Sequence, residues 1–298
     1  WTPLLVLVLL MLAVGGYTAS ESDVFLTQLN LANLLVLALP LTVVAIGQQA
    51  LLLAGGFDIS VGSTMSLTVV LASFWVTQDG FPGSIPGILL CLLIGIAVGL
   101  VNAFVVRVLR VSAIIATIAT LGAISGIAIL LRPAPEGVIG NGLIDALTRQ
   151  VAFIPIAYIG IAAIAILAEV WLRGTALGLT VRATGLAEES SRRTGVRVEL
   201  LKAGAYVLCA VVAVVAGLCL ASQVGIGQSS VGEGFPFLAF TACFLGGAAL
   251  SGGRGSFVGT LLGALFLALL INITPLLGLP DATSRTITGA LTIIAVVA

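Results

Sequence analysis

Apolar runs of about twenty residues, separated by short breaks that hold most of the charges, constrain this chain more than any motif within it. A bilayer core about 30 Å thick is crossed by roughly 20 helical residues, and lipid offers no partner to an open backbone. The runs lie near residues 3–19, 33–54, 62–78, 86–106, 112–131, 151–172, 203–222, 237–245, 257–271 and 285–298. They predict an all-α, polytopic membrane helix bundle of about 10 transmembrane helices, one transmembrane domain over residues 1–298, with a broken helix near 237–257. Composition agrees: 8% of the residues are charged and the mean hydropathy is +1.27, where a water-soluble domain would carry about 25% charged residues. The chain opens at Trp1 without Met, on a run too long for a signal-peptide core, and stops within a run at Ala298; both ends are expected to be trimmed.

Several function classes fall away at once. The formal net charge is +0, which leaves no basic footprint for nucleic acid; membrane lipid is the partner that composition implies. Lys202 is the only lysine and follows Leu201, so no G-K-[ST] phosphate loop exists. Histidine is absent, which removes Ser-His-Asp and Cys-His nucleophiles and His-rich metal sites. No catalytic residue and no metal site are expected. Cys91, Cys209, Cys219 and Cys243 lie inside apolar runs without CxxC spacing and read as small buried hydrophobes.

Arginine placement sets the expected orientation. Putting the Arg107/Arg110 loop and the loop holding Arg173, Arg182, Arg192, Arg193, Arg197 and Lys202 in the cytoplasm also places Arg254 there, leaving Arg132, Arg149 and Arg285 outside. Both termini then face the cytoplasm. Spans two to five start outside and spans seven to ten start inside, an arrangement that admits an inverted repeat.

Three stretches break the apolar pattern. In LLLAGGFDISVGS, residues 51–63, Gly55 and Gly56 disfavour a continuous helix, and Asp58 either caps the third span or serves as a hinge or pathway element. In VRATGLAEESSRRTGVRVELLK, residues 181–202, Gly185 and Gly195 bracket a short charged helix with Glu188 and Glu189 early and Arg192 and Arg193 late, in accord with the helix dipole. In LGGAALSGGRGSFVGTLLGAL, residues 245–265, a broken eighth span beside a pathway and a tight cytoplasmic turn are both open.

These stretches resemble the ribose-type permease subunits of bacterial ABC importers, the binding-protein-dependent monosaccharide permeases. GGFDISVGS resembles the family's Gly-Gly-Ile-Asp-Leu-Ser-Val-Gly signature, and residues 99–121, GLVNAFVVRVLRVSAIIATIATL, its Asn-containing span and basic turn. Residues 173–198 resemble its cytoplasmic loop and residues 249–265 its glycine-rich segment. Phe57 replaces the usual Ile, Leu179 a usual Arg, and Ala187, Ser190 and Ser191 stand where Asn and paired alanines are common.

The resemblance implies a subunit, not an enzyme, that moves a monosaccharide or related small polar solute inward across the bacterial cytoplasmic (inner) membrane. It implies a permease homodimer or heterodimer, a cytoplasmic ABC ATPase docked on a coupling loop at about 173–202, and an extracytoplasmic sugar-binding protein. This chain would bind no cofactor, with ATP and Mg on the partner ATPase. Ala183, Gly185, Glu188, Glu189, Arg192, Arg193 and Gly195 are the coupling candidates; Asp58, Ser60, Ser63, Asn102 and Thr117 are pathway candidates; Gly55, Gly56, Gly62, Gly252, Gly253 and Gly255 are structural glycines. The alternative is a proton-coupled secondary transporter in which Asp58 titrates.

Overall fold

A computed structural model describes residues 2–297, so Trp1, and Ala298 at the end of the tenth run, lie outside the described residues, as does the side chain of Arg285. The chain is a helical bundle. α1 (Thr2–Glu21), α2 (Gln28–Leu53), α3 (Val61–Trp75), α4 (Phe81–Ala103) and α5 (Ala113–Leu131) form the first half. A short α6 (Asn141–Thr148) and a two-residue hairpin, β1 (Gln150–Val151) with β2 (Ile154–Pro155), lead into α7 (Ile156–Gly174). α8 (Ala176–Leu186) and α9 (Glu188–Arg193) follow, then α10 (Val198–Val224), α11 (Phe235–Leu245), α12 (Phe257–Leu276) and α13 (Asp281–Val297).

A helix covers each expected run, with shifted boundaries. α2 begins at Gln28 rather than residue 33, because Thr27 accepts the Asn30 amide as an N-cap. α4 begins at Phe81 rather than residue 86, with Pro82 in its first turn, where an amide would have no partner, and Pro86 inside the helix. The run that starts at residue 151 yields its first residues to the hairpin. Among the described residues, seven helices are long and apolar enough to cross a membrane.

The third and eighth runs form shorter helices. At 1.5 Å per residue, α3 is about 22 Å long and α11 about 16 Å, short of a bilayer core. Their N-terminal ends meet. The Gly232 amide donates to Ser66 Oγ at 2.9 Å, and a Cβ on Gly62 would stand 2.6 Å from the Gly232 carbonyl oxygen. Met65 and Thr68 of α3 pack against Gly217, about two thirds of the way along α10. The crossing therefore lies roughly midway along that helix.

The halves exchange partners. α2 packs against α10, α11 and α12, whereas α10 packs against α2, α3 and α4. In each half a long helix precedes a shorter one. A reciprocal amide pair, Asn30 with Asn272, ties the start of α2 to α12.

Candidate coupling site

Three of the singled-out stretches, far apart in sequence, converge below α2. Gly55 lies against Gly185 at the end of α8 and against Gly252 in the glycine-rich loop that joins α11 to α12. A Cβ on Gly252 would stand 2.8 Å from the Gly55 Cα, and one on Gly185 would stand 2.6 Å from the Gly253 amide nitrogen. Main chain touches main chain here, which only glycine permits. Gly252 and Gly253 have φ of +85° and +70° besides, a conformation unfavourable to any residue with a side chain. Gly255 packs on the Gln49 amide, and Gly56 on Leu51. The break expected near 237–257 is present as the loop of residues 246–256. Below it α12 is capped twice, by Ser256 Oγ accepting the Gly259 amide at 3.0 Å and by Glu169 accepting the Phe257 amide at 2.7 Å. Glu169 also pairs with Arg173.

The charged helix α9 has its acids in the first turn and its bases in the last, as expected. Its boundaries differ from the bracketing read from sequence. Gly185 belongs to α8 and serves the close contact just described; Ala187 separates the helices, and Gly195 ends the turn beyond α9 with φ +87°. Ala183 is exposed on α8.

Glu188 and Glu189 part company in role. Glu189 is exposed and pairs only with Arg193, at 3.3 Å. Glu188 turns inward and accepts from Arg107 at 2.6 Å, Lys202 at 2.5 Å and Arg192 at 3.2 Å. Glu199 closes the cluster through Arg107 and Arg192, each at 2.7 Å. Partial burial would raise the Glu188 pKa, but the hydrogen bonds and charges of Lys202 and Arg107 outweigh it and hold the carboxyl at about 2. α9 is thus bolted to the ends of α4 and α10. Arg107 reaches it from a π turn, Phe104–Val108, closed by the Leu109 amide on the Phe104 carbonyl at 3.2 Å. That turn brings residues five apart toward one face, where an α-helix would set them about 140° apart.

Asn102, five residues before Arg107, holds the opening motif. Its Nδ2 donates to Asp58 Oδ2 at 3.1 Å and to Ser60 Oγ at 2.9 Å. Asp58 Oδ1 accepts the Ser60 amide at 2.7 Å and its hydroxyl at 2.6 Å. Thr117 of α5 accepts the Ile59 amide at 3.2 Å, and Ser63 donates to the Ser60 carbonyl at 2.9 Å. All five pathway candidates therefore come together, and all are buried. One sequence expectation changes. Asp58 does not cap α3, whose N-cap is Ser60 without a side-chain cap bond; it ties the lead-in strand into a turn. Around it the chain runs inward between Gly55 and Gly62, from the glycine junction to the crossing with Gly232.

Phe57, the departure from the family's Ile, stacks on Phe240 of α11 with centroids 3.9 Å apart. Asp58 has only donors around it and no ion-pair partner among the described residues. Two cavities of about 550 Å³ open elsewhere. One lies between α2, α7 and α10, bordered by Ala50, Leu167 and Leu208; the other lies between α3, α4 and α5, bordered by Leu67, Val98 and Ala123. Both are almost wholly apolar, and none of the five pathway candidates lines either.

Sequence reasoning missed Arg107, Glu199 and Lys202 as anchors of α9. The one available signal was that the chain's only lysine, Lys202, lies in the same loop as the acids Glu188, Glu189 and Glu199.

Comparison with known proteins fits this architecture. Residues 30–296 match the family described as branched-chain amino acid transport system / permease component. The Autoinducer 2 import system permease protein LsrC of Yersinia pseudotuberculosis serotype O:1b (strain IP 31758) is 35% identical over 253 residues, 84% of this chain and 71% of that protein. Its namesake from Yersinia pestis (strain Pestoides F) is 35% identical over 244 residues, 80% of this chain and 68% of that protein. No solved structure gives a significant match. The chain therefore belongs to the family of branched-chain amino acid transport system permease components, and it is a multi-pass transport subunit of an ABC importer rather than an enzyme.

Proposed function

We propose that this permease admits a small, uncharged, hydroxyl-rich solute, autoinducer 2 or a monosaccharide, and that α8 and α9 form the face on which a cytoplasmic ABC ATPase docks. The family's description names amino acids whereas the relatives' names specify autoinducer 2, so membership alone does not select the solute. The observation that carries the docking assignment is the glycine junction. It joins α8 through Gly185 both to the foot of α2 and to the loop that starts α12, so a push on α8 and α9 reaches both halves of the bundle without slack side chains between. α9 presents Glu189, Arg193 and the outer side of Arg192 to that partner.

In this reading both termini and the 173–202 loop are cytoplasmic, the membrane is the bacterial inner membrane, and two permease copies, identical or paired with a relative, enclose the pathway. An extracytoplasmic binding protein delivers the solute, and ATP with Mg is held by the ATPase. The test is uptake into proteoliposomes holding the permease, its ATPase and its binding protein. Autoinducer 2, ribose and leucine are offered in turn. ATP-dependent uptake of a hydroxyl-rich solute but not of leucine is expected. Uptake driven by a pH gradient in the permease alone would overturn the assignment.

A further inference from the structure

The α3–α11 crossing carries a second acid, and it is treated in the opposite way from Asp58. Glu233 follows Gly232 directly, so the hydrogen bond of Gly232 to Ser66 and its close approach to Gly62 fix it at the same level, roughly midway along α10. Its residue is exposed, and its carboxylate has no hydrogen bond or ion pair among the described residues. Gly234 beside it is exposed too, and Phe237, one turn on, is 63% exposed. A bare carboxylate at mid-depth is not tolerated by lipid; such groups face water or a polar partner. Asp58 meets that demand with protein donors, and Glu233 has none.

We propose that Glu233 lines the aqueous pathway and accepts hydrogen bonds from the hydroxyl groups of the passing solute. The chemistry around it is two-sided. An ionised carboxylate only accepts, whereas the first turn of α11 leaves one amide donor, that of the exposed Phe237, without a hydrogen-bond partner among the described residues, since Pro236 has no N–H and the Phe235 amide bonds the Gly232 carbonyl. A hydroxyl both donates and accepts, so a neutral polyhydroxylated solute satisfies both. A phosphorylated or carboxylated solute would set its charge against Glu233. This deepens the proposed function and rests on it for the solute class.

The test exploits the cysteines. All four native thiols are buried, so an introduced one can be read alone. The full importer is assembled in proteoliposomes with Glu233→Cys, and with Leu93→Cys on the 60%-exposed apolar face of α4 as the lipid-facing control. A charged, membrane-impermeant maleimide should label position 233 at least ten-fold faster than position 93, and millimolar autoinducer 2 or ribose, whichever the unsubstituted importer takes up, should slow it several-fold. Glu233→Gln should raise the KM for that solute about five-fold and weaken the preference for it over its phosphorylated form. Labelling no faster than at position 93, or labelling indifferent to solute together with an unchanged KM, overturns the proposal. Should Glu233→Cys fail to assemble, Gly234→Cys gives the same labelling comparison. ATP-driven uptake by the unsubstituted importer is measured in parallel, so a failure of the functional reading shows there, independently of position 233.

Discussion

Asp58 shows how one buried acid is held and what each part of it does. Its carboxylate accepts three hydrogen bonds, and the Asn102 Oδ1 opposite has no partner. Asp58→Asn keeps the oxygen that Ser60 uses. The new amide nitrogen then faces the Asn102 nitrogen, a conflict that Asn102 relieves by turning its idle oxygen inward. The expected loss is about 1 kcal/mol. Asp58→Leu strips the partners from the Ser60 and Asn102 donors in a closed site, so about 3 kcal/mol or more should go. Thermal unfolding of the detergent-solubilised protein checks the order, and equal losses would refute the donor account. The glycines make a parallel contrast. Gly185→Ala drives a methyl between two backbones and should cost about 3 kcal/mol. Gly122→Ala on α5, where nothing lies within 4 Å, should leave the melting point unchanged or raise it.

At the scale of elements, α9 owes its position to charge. It is six residues long, too short to persist alone, so the bonds of Glu188 to Arg107 and Lys202 keep it in place. Lys202 is 7% exposed and loses its only ion-pair partner among the described residues if Glu188 is replaced. Glu188→Gln should therefore release α9, raising its amide-exchange rates at least ten-fold while Glu189→Gln changes them little. The pH dependence follows in sign. The folded pKa, about 2, is below the unfolded carboxylate value of about 4.3, so the docked helix binds fewer protons than the free one. Docking is at full strength above about pH 4.5 and is lost as pH falls toward 2. A fluorophore at Glu189→Cys should report that release, and the response should vanish in Glu188→Gln.

Across the whole molecule, periodic features were legible and contacts between distant segments were not. Every apolar run became a helix because lipid and a helical backbone leave few alternatives. The dipole-ordered charges of α9 were readable for the same reason, being local. The glycine motifs were visible as breaks, but their purpose depends on partners far away: Gly55 on Gly185 and Gly252, and Gly62 on Gly232. FVVRV carries no mark of a π turn, and Glu233 lay between runs, where a loop charge draws no notice. The Gly62–Gly232 crossing is where the two halves are joined at mid-depth, and it makes a prediction about coupling between them. A methyl on either glycine meets the other's carbonyl oxygen, so Gly62→Ala and Gly232→Ala should each force the crossing open at about 2 kcal/mol. Once the first methyl has parted the backbones, the second enters space already made. The double variant should thus fall short of the summed losses by more than the roughly 0.5 kcal/mol expected of independent sites. Pairing Gly62→Ala with Gly185→Ala, which lies at the other junction, should instead be additive. If thermal unfolding gave the same coupling for both pairs, the two junctions would not be separate joints.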